Sequence, residues 1–206
     1  MTIVHAFVDE GLGHSSYLVD VGGGEALVVD PARVLSSECR QARHDGVRIT
    51  FTADTHTHAD YVSGSPLLAS SGAAFLAPEG ARLEHPHRPL ADGDEIAVGR
   101  FVLRALATPG HTPDHLAYLL LEAGEPVALF SGGSLMVGTA GRTDLLGPQH
   151  TRELARAQFR SLRALLALPD NLVVYPTHGA GSFCSAPGAS ERTTTIGRER
   201  ATNPLL

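Results

Sequence analysis

Short apolar stretches, punctuated by Gly, Pro and Asp, recur along most of the 206-residue chain. Residues 3–8 and 16–19 read as strands, and Gly22-Gly23-Gly24 turns the chain into a third apolar run at 26–29 that stops at Asp30-Pro31. A helix is expected over 31–44, with Val34, Leu35 and Cys39 on one side and Gly46 as its stop. The alternating run 47–51 predicts a strand, Ser65-Pro66 opens a short helix, and 73–76 returns as a strand. Residues 78–94, rich in Pro, His and Arg, read as a connection without a second domain. Four more strands are expected at 95–98, 100–107, 116–121 and 127–130, followed by an ordered Gly/Ser/Thr-rich loop over 131–150. The clearest helix is 151–168, whose stripe is Leu154, Ala155, Phe159, Leu162, Leu165 and Leu166, and a last strand follows at 172–175. The order implies sheets covered by helices in one layered α/β or α+β domain spanning 1–206.

The predicted strands tend to end in chemistry. Thr55-His56-Thr57-His58-Ala59-Asp60-Tyr61 follows one of them, and an extended backbone would put His56, His58 and Asp60 on one side. Imidazoles with a carboxylate suit zinc or iron. Thr108-Pro109-Gly110-His111, Phe130-Ser131-Gly132-Gly133 with Gly141-Arg142-Thr143-Asp144, and Tyr175-Pro176-Thr177-His178 also follow strands, where loops gather at one edge of a layered sheet. His5, His14, His44, His85, His87 and His150 read as ordinary surface or core histidines.

Composition narrows the class. With 43% hydrophobic residues the chain has material for a sizeable core, and a net charge of −6 without a basic run argues against nucleic acid or an anionic membrane. No apolar run nears the roughly 18 residues of a membrane span, and residues 1–10 lack a signal-peptide pattern. Cys39 and Cys184 make no disulfide scaffold, so a cytoplasmic setting is expected.

Thr55–Gly64, Thr108–Thr112, Gly141–Asp144 and Tyr175–Gly179 together resemble the metallo-β-lactamase superfamily, in particular its persulfide dioxygenase and glyoxalase II-like branch. The tail from Thr194 to Pro204 is similar to the end of this module in proteins that continue into rhodanese domains. The resemblance implies a four-layer αβ/βα sandwich with metal at the shared edge of two sheets. It implies His56, His58 and His111 for a first metal, Asp60 and His178 for a second, and His115 behind them; Cys184 reads as a buried small side chain.

Two positions depart from the family pattern. Tyr61 stands where a His ligand is usual, which argues for one metal, Fe(II) or Zn(II). Gly133 stands where the family has an Asp ligand, so restoring it as Gly133→Asp is expected to raise iron affinity or dioxygenase activity. Three outcomes follow. His56, His58 and His111 hold the metal as a neutral set; on zinc such a set lowers the pKa of a bound water to about 7. Alternatively Asp60 supplies the missing carboxylate, or the site binds metal poorly and the chain is a binding module. Asp60 and Arg142 are the candidate catalytic residues; Arg142 would either face an anionic substrate or pair with Asp144. The activities implied are oxidation of a small persulfide to sulfite or, alternatively, thioester hydrolysis. Candidate partners are that thiol, persulfide or thioester substrate, a rhodanese-type sulfurtransferase and a second copy in a homodimer.

Overall fold

The structure, a computed structural model, describes residues 4–179, 181–184 and 191–206. The expected start of the first strand at Ile3 and the tail from Ser185 to residue 190 lie outside the described residues. Among the described residues the strands form two six-stranded sheets and one small hairpin. The first sheet runs β1 (Val4–Asp9), β2 (His14–Gly22), β3 (Glu25–Val29), β4 (Arg48–Ala53), β5 (Ala74–Pro78) and β6 (Arg88–Leu90), antiparallel as far as β3 and parallel beyond it. Across the second sheet the order is β14 (Thr194–Thr195), β13 (Val173–Pro176), β10 (Glu125–Gly132), β9 (Leu116–Glu122), β8 (Phe101–Ala107) and β7 (Glu95–Val98). Helices α1 (Ser36–Asp45) and α2 (Ser65–Ser70) belong to the first half, α3 (Pro148–Leu165) and α4 (Ile196–Thr202) to the second.

Alternation along the central strands produces the layers. Tyr17, Val19 and Val21 of β2 join Leu116, Tyr118 and Leu120 of β9 in a core between the sheets. The intervening Leu18 packs with Ala42 of α1 and Leu68 of α2, whereas Ala117, Leu119 and Leu121 pack with Leu162 and Leu165 of α3. Strands buried on both faces read as continuous apolar runs, which is why β3 and β9 stood out in the sequence. The result is the expected αβ/βα sandwich. Tyr17 ties the sheets together at the loop-bearing edge, its hydroxyl donating to the Pro176 carbonyl at 2.6 Å.

Several boundaries differ from the sequence pattern for identifiable reasons. Helix α1 begins five residues later than expected, because Arg33 N donates to the Val62 carbonyl and Gly64 N to the Pro31 carbonyl, holding 31–33 against the end of the histidine stretch. β6 contains Pro89 and lies at a sheet edge, where a strand tolerates a residue without an N–H. The hairpin of β11 (Leu135–Met136) and β12 (Thr139–Ala140) occupies the expected loop. The buried face of α3 is rotated: Phe159 is 56% exposed, and Gln158 and Ser161 are buried instead. Gln158 Nε2 donates to the Ser134 carbonyl at 2.6 Å and Ser161 Oγ to the Pro109 carbonyl at 2.7 Å, so α3 faces the loops it fastens.

The C-terminal segment is anchored by Glu199, fully buried, which accepts from Thr194 Oγ1, Asn203 Nδ2 and Gly138 N at 2.7, 2.8 and 3.0 Å. Glu199→Ala should therefore lower unfolding free energy by about 2 kcal/mol or more in urea titrations, since buried donors lose their acceptor; a loss below ~0.5 kcal/mol would show these bonds to be dispensable.

Candidate metal centre

Five histidines and two carboxylates meet beyond the ends of β3, β4, β8 and β13. Residues 54–62 bend rather than extend, yet His56, His58 and Asp60 still turn inward while Thr57 and Ala59 face out. The expected alternation of sides holds, although the expected strand does not. The bend is fixed by Asp30, which follows β3 and is completely buried. Its Oδ1 accepts from Thr55 N at 2.7 Å and from His58 Nε2 at 3.1 Å; its Oδ2 accepts from Thr55 Oγ1 at 2.8 Å and from Thr177 Oγ1. Burial alone would raise the Asp30 pKa, but His58 and these donors hold it below the usual carboxylate range.

Hydrogen-bond roles settle the imidazole tautomers. Thr55 Oγ1 donates to Asp30, so at His56 Nδ1, 2.8 Å away, it accepts; His56 therefore carries its proton on Nδ1 and leaves Nε2 bare. The Arg142 carbonyl at 2.9 Å can only accept from His111 Nδ1, leaving His111 Nε2 bare. His58 Nε2 faces the Asp30 carboxylate, and its buried Nδ1 has no partner among the described residues. His115 is the reverse case: Gly133 N donates to its Nε2 at 3.0 Å, so its proton lies on Nδ1, toward Thr108 Oγ1 at 2.8 Å. His115 thus stacks behind His56, with ring centroids 4.8 Å apart, and has no free nitrogen for a metal.

The bare nitrogens converge. One ligand atom each from His56, His111 and His178 lie within 4.8 Å of one another, as do those of His58, Asp60 and His178. Thus His178, assigned from sequence to the second site, groups with His56 and His111 in an all-imidazole triad, and His58 groups with Asp60. Nε2 of His56 and Nε2 of His178 are 3.3 Å apart, while His178 Nδ1 is 3.4 Å from Asp60 Oδ2. With the His178 proton on Nδ1, which lies 3.4 Å from both Asp60 Oδ2 and Ser182 Oγ, the two Nε2 lone pairs face each other. Neither Asp60 oxygen completes a hydrogen bond among the described residues. Opposed lone pairs, a buried imidazole nitrogen without a partner and a buried carboxylate with only a long contact to His178 are together what a divalent cation would relieve, and the residues fit one.

Electrostatics keeps the three imidazoles of the triad uncharged. Burial, reinforced by neighbouring imidazoles, pushes His56 and His178 well below the ordinary histidine pKa; burial also lowers His111, and takes His115 to about 3. For His58 burial is outweighed by Asp30, and its pKa rises. Burial and the Asp60 carboxylate push the Cys184 thiol up to about 12, consistent with a buried, unreactive side chain.

The remaining candidates separate. The Arg142 guanidinium is taken up by Asp144 at 2.6 and 2.9 Å and lies over the Phe183 ring, while its backbone carbonyl orients His111. The Tyr61 ring stacks on His58 with centroids 4.4 Å apart, and its hydroxyl donates to the Asp30 carbonyl. Asp30, Thr55 and Thr177 were not anticipated from the sequence, although Asp30 sits just past a strand like the other site residues. Neither was His14, read as ordinary, which donates from Nε2 to the Asp30 carbonyl at 2.9 Å and packs its ring on Tyr61.

Gly133 leaves no vacancy. A Cβ there would lie 2.4 Å from Cδ2 of His111, and one at Gly141 would lie 2.7 Å from its Nδ1, so the His111 ring fills the space between two glycines. The expectation for Gly133→Asp is thereby reversed: it should displace His111, cost about 1–3 kcal/mol of stability and weaken metal binding in chelator competition. Tighter binding would restore the original expectation. Acid sensitivity follows from the neutral imidazoles. A histidine with a lowered folded pKa takes up its proton on unfolding, so its contribution is present above the unfolded value of about 6.5 and lost as pH falls. His58, raised, and Asp54, pushed up to about 6 by burial, work the other way, but His14, His56, His111, His115 and His178 outnumber them. Metal-free protein should lose stability from pH 7.5 to 5.5 with net uptake of at least one proton, about 1.4 kcal/mol per pH unit; stability flat across this range would contradict the assigned charge states.

Comparison with known proteins agrees with this architecture. The family model described as the metallo-beta-lactamase superfamily matches residues 9–178. The chain is 32% identical over 190 residues to the mitochondrial persulfide dioxygenase ETHE1 of Homo sapiens, covering 88% of this chain and 66% of that protein. It is 37% identical over 161 residues to a hydroxyacylglutathione hydrolase-like protein of Homo sapiens, covering 75% of this chain and 51% of that protein. A metallo-beta-lactamase crystal structure from Staphylococcus aureus subsp. aureus COL superposes with a TM-score of 0.90 at 35% identity, over 99% of this chain and 63% of that one. The chain therefore spans one half to two thirds of these proteins.

Proposed function

The chain belongs to the metallo-beta-lactamase superfamily, and from that premise we propose that it is a mononuclear-metal enzyme of sulfur metabolism, converting a small persulfide, O2 and water into a thiol and sulfite. The observation that carries the reading is the convergence of bare nitrogens on His56, His111 and His178, backed by His58 and Asp60. These residues would hold one iron or zinc ion. Bound there, the ion would act as a Lewis acid toward a sulfur or oxygen ligand of the substrate. The similarity to a persulfide dioxygenase supports the sulfur substrate.

The chain's own residues prepare the site. Asp30 and the Arg142 carbonyl hold His58 and His111 in the tautomers that present a free nitrogen, as partners behind metal ligands commonly do. The Tyr61 ring covers one face of His58, and its hydroxyl is committed to Asp30, which supports a single metal. Asp60 lies beside His178 of the triad and would accept a proton or complete the ligand set.

A second reading, zinc-dependent thioester hydrolysis, is favoured by the all-imidazole composition of the triad, which leaves the full charge of the ion available to polarise a carbonyl. Metal content and two assays separate the readings. Protein purified without added metal should carry about one equivalent of iron and consume O2 with glutathione persulfide, and His56→Ala and His111→Ala should each reduce both at least tenfold. Zinc with thioester turnover and no O2 uptake would select hydrolysis, and full activity in either variant would refute both.

A further inference from the structure

A cavity of about 280 Å³ lies between the end of β4, the first turn of α2, β5 and the segment that joins β5 to β6. None of the five clustered histidines lines it, nor does Asp30 or Asp60. Pro66, Leu67, Phe75 and Leu83 give it apolar walls, and Phe75 is buried. Two groups of opposite charge share this apolar space: Asp54, only 5% exposed, and Arg33. The volume falls below the roughly 300–1,000 Å³ of sites for drug-sized ligands, so the space suits a small molecule.

The polar atoms of Asp54 can be followed one by one. Its N donates to the Leu76 carbonyl, its carbonyl accepts from the Tyr118 hydroxyl at 2.8 Å, and its Oδ1 accepts from Ser65 Oγ at 2.5 Å. Its Oδ2 receives no hydrogen bond among the described residues; the nearby Ser63 hydroxyl favours the ionised carboxylate without completing one. Glu38 Oε2 and both Asp60 oxygens are unbonded and sealed from solvent, whereas Asp54 Oδ2 is unbonded and not sealed. The oxygen that meets the cavity is therefore Oδ2. Arg33 is exposed, and its guanidinium has no ion pair or hydrogen bond among the described residues, with Asp54 or with any other. Water reaches Arg33 at the rim, but Asp54, almost wholly buried, depends on what enters the cavity. An ammonium offers the carboxylate three donors in a compact head, a carboxylate matches the guanidinium fork, and an apolar body suits the walls.

We propose that this cavity binds a free α-amino acid with an apolar side chain, its ammonium on Asp54 Oδ2, its carboxylate toward Arg33 and its side chain against Pro66, Phe75 and Leu83. The inference is independent of the reaction proposed above, because no candidate metal ligand lines the cavity. Phe75 forms a wall of the cavity and reports its occupancy.

The test is an NMR titration with L-leucine, with 3-methylbutylammonium chloride and sodium 4-methylpentanoate as the same skeleton lacking the carboxylate or the ammonium. Leucine should shift the Phe75 ring resonances and bind at least tenfold more tightly than either control. Asp54→Asn, which can still accept from Ser65, should weaken leucine and 3-methylbutylammonium at least tenfold and leave 4-methylpentanoate unchanged. Arg33→Gln, at an exposed position, should weaken leucine and 4-methylpentanoate and leave 3-methylbutylammonium unchanged; it decides the matter if the Asp54 variant fails to fold. His56→Ala should keep the preference for leucine, which separates this site from the metal reading. No shift at Phe75 with leucine, equal binding of the three probes, or a leucine affinity unchanged in either folded variant would overturn the proposal.

Discussion

Asp30 is the constraint on which the site depends. It comes directly after a strand buried on both faces and adopts φ 49°, a left-handed conformation that Asp tolerates better than most side chains. That turn aims its carboxylate into the junction of the two sheets, where Thr55, His58 and Thr177 all bond to it. Its own carbonyl receives His14 and Tyr61. One residue of the first sheet thereby fixes the loop after β4, the loop after β13 and the rings between them. A buried carboxylate without partners would be strongly unfavourable, so these loops and Asp30 are mutually required.

From that anchor the order of the site propagates by hydrogen-bond roles. Thr55 donates to Asp30 and must accept from His56, which leaves the inward nitrogen of His56 free. On the opposite side the Arg142 carbonyl does the same for His111, and α3 secures the His111 loop through Ser161 and the Pro109 carbonyl. That packing needs Gly110, since a Cβ there would lie 2.3 Å from Gln158 Oε1. The helix face that looked polar in isolation is thus the face that holds the loop bearing His111.

The layered fold was legible because β3 and β9 are buried on both faces and leave continuous apolar runs, and the strand-end histidines marked the edge where the loops meet. Other features were not legible for physical reasons. The α3 stripe failed at Phe159, Gln158 and Ser161 because periodicity weighs hydrophobicity, whereas burial there is decided by bonds to backbone carbonyls far away in sequence. The exchange of His58 for His178 in the all-imidazole triad arises from bends over residues 54–62 that an extended-strand argument does not contain. Gly133 looked like a missing ligand until the position of the His111 ring showed the space to be filled. His14 and Asp30 carried no motif signal beyond their places at strand ends.

Buried, uncharged imidazoles arranged by Asp30 and the Arg142 carbonyl would hold one metal ion at this edge. X-ray absorption at the metal edge of the loaded protein tests it most directly. The account predicts about three imidazole nitrogens at roughly 2.0–2.2 Å, with no sulfur from Cys184 and no metal–metal scattering. A shell dominated by sulfur, a second metal, or fewer than two imidazoles would contradict it.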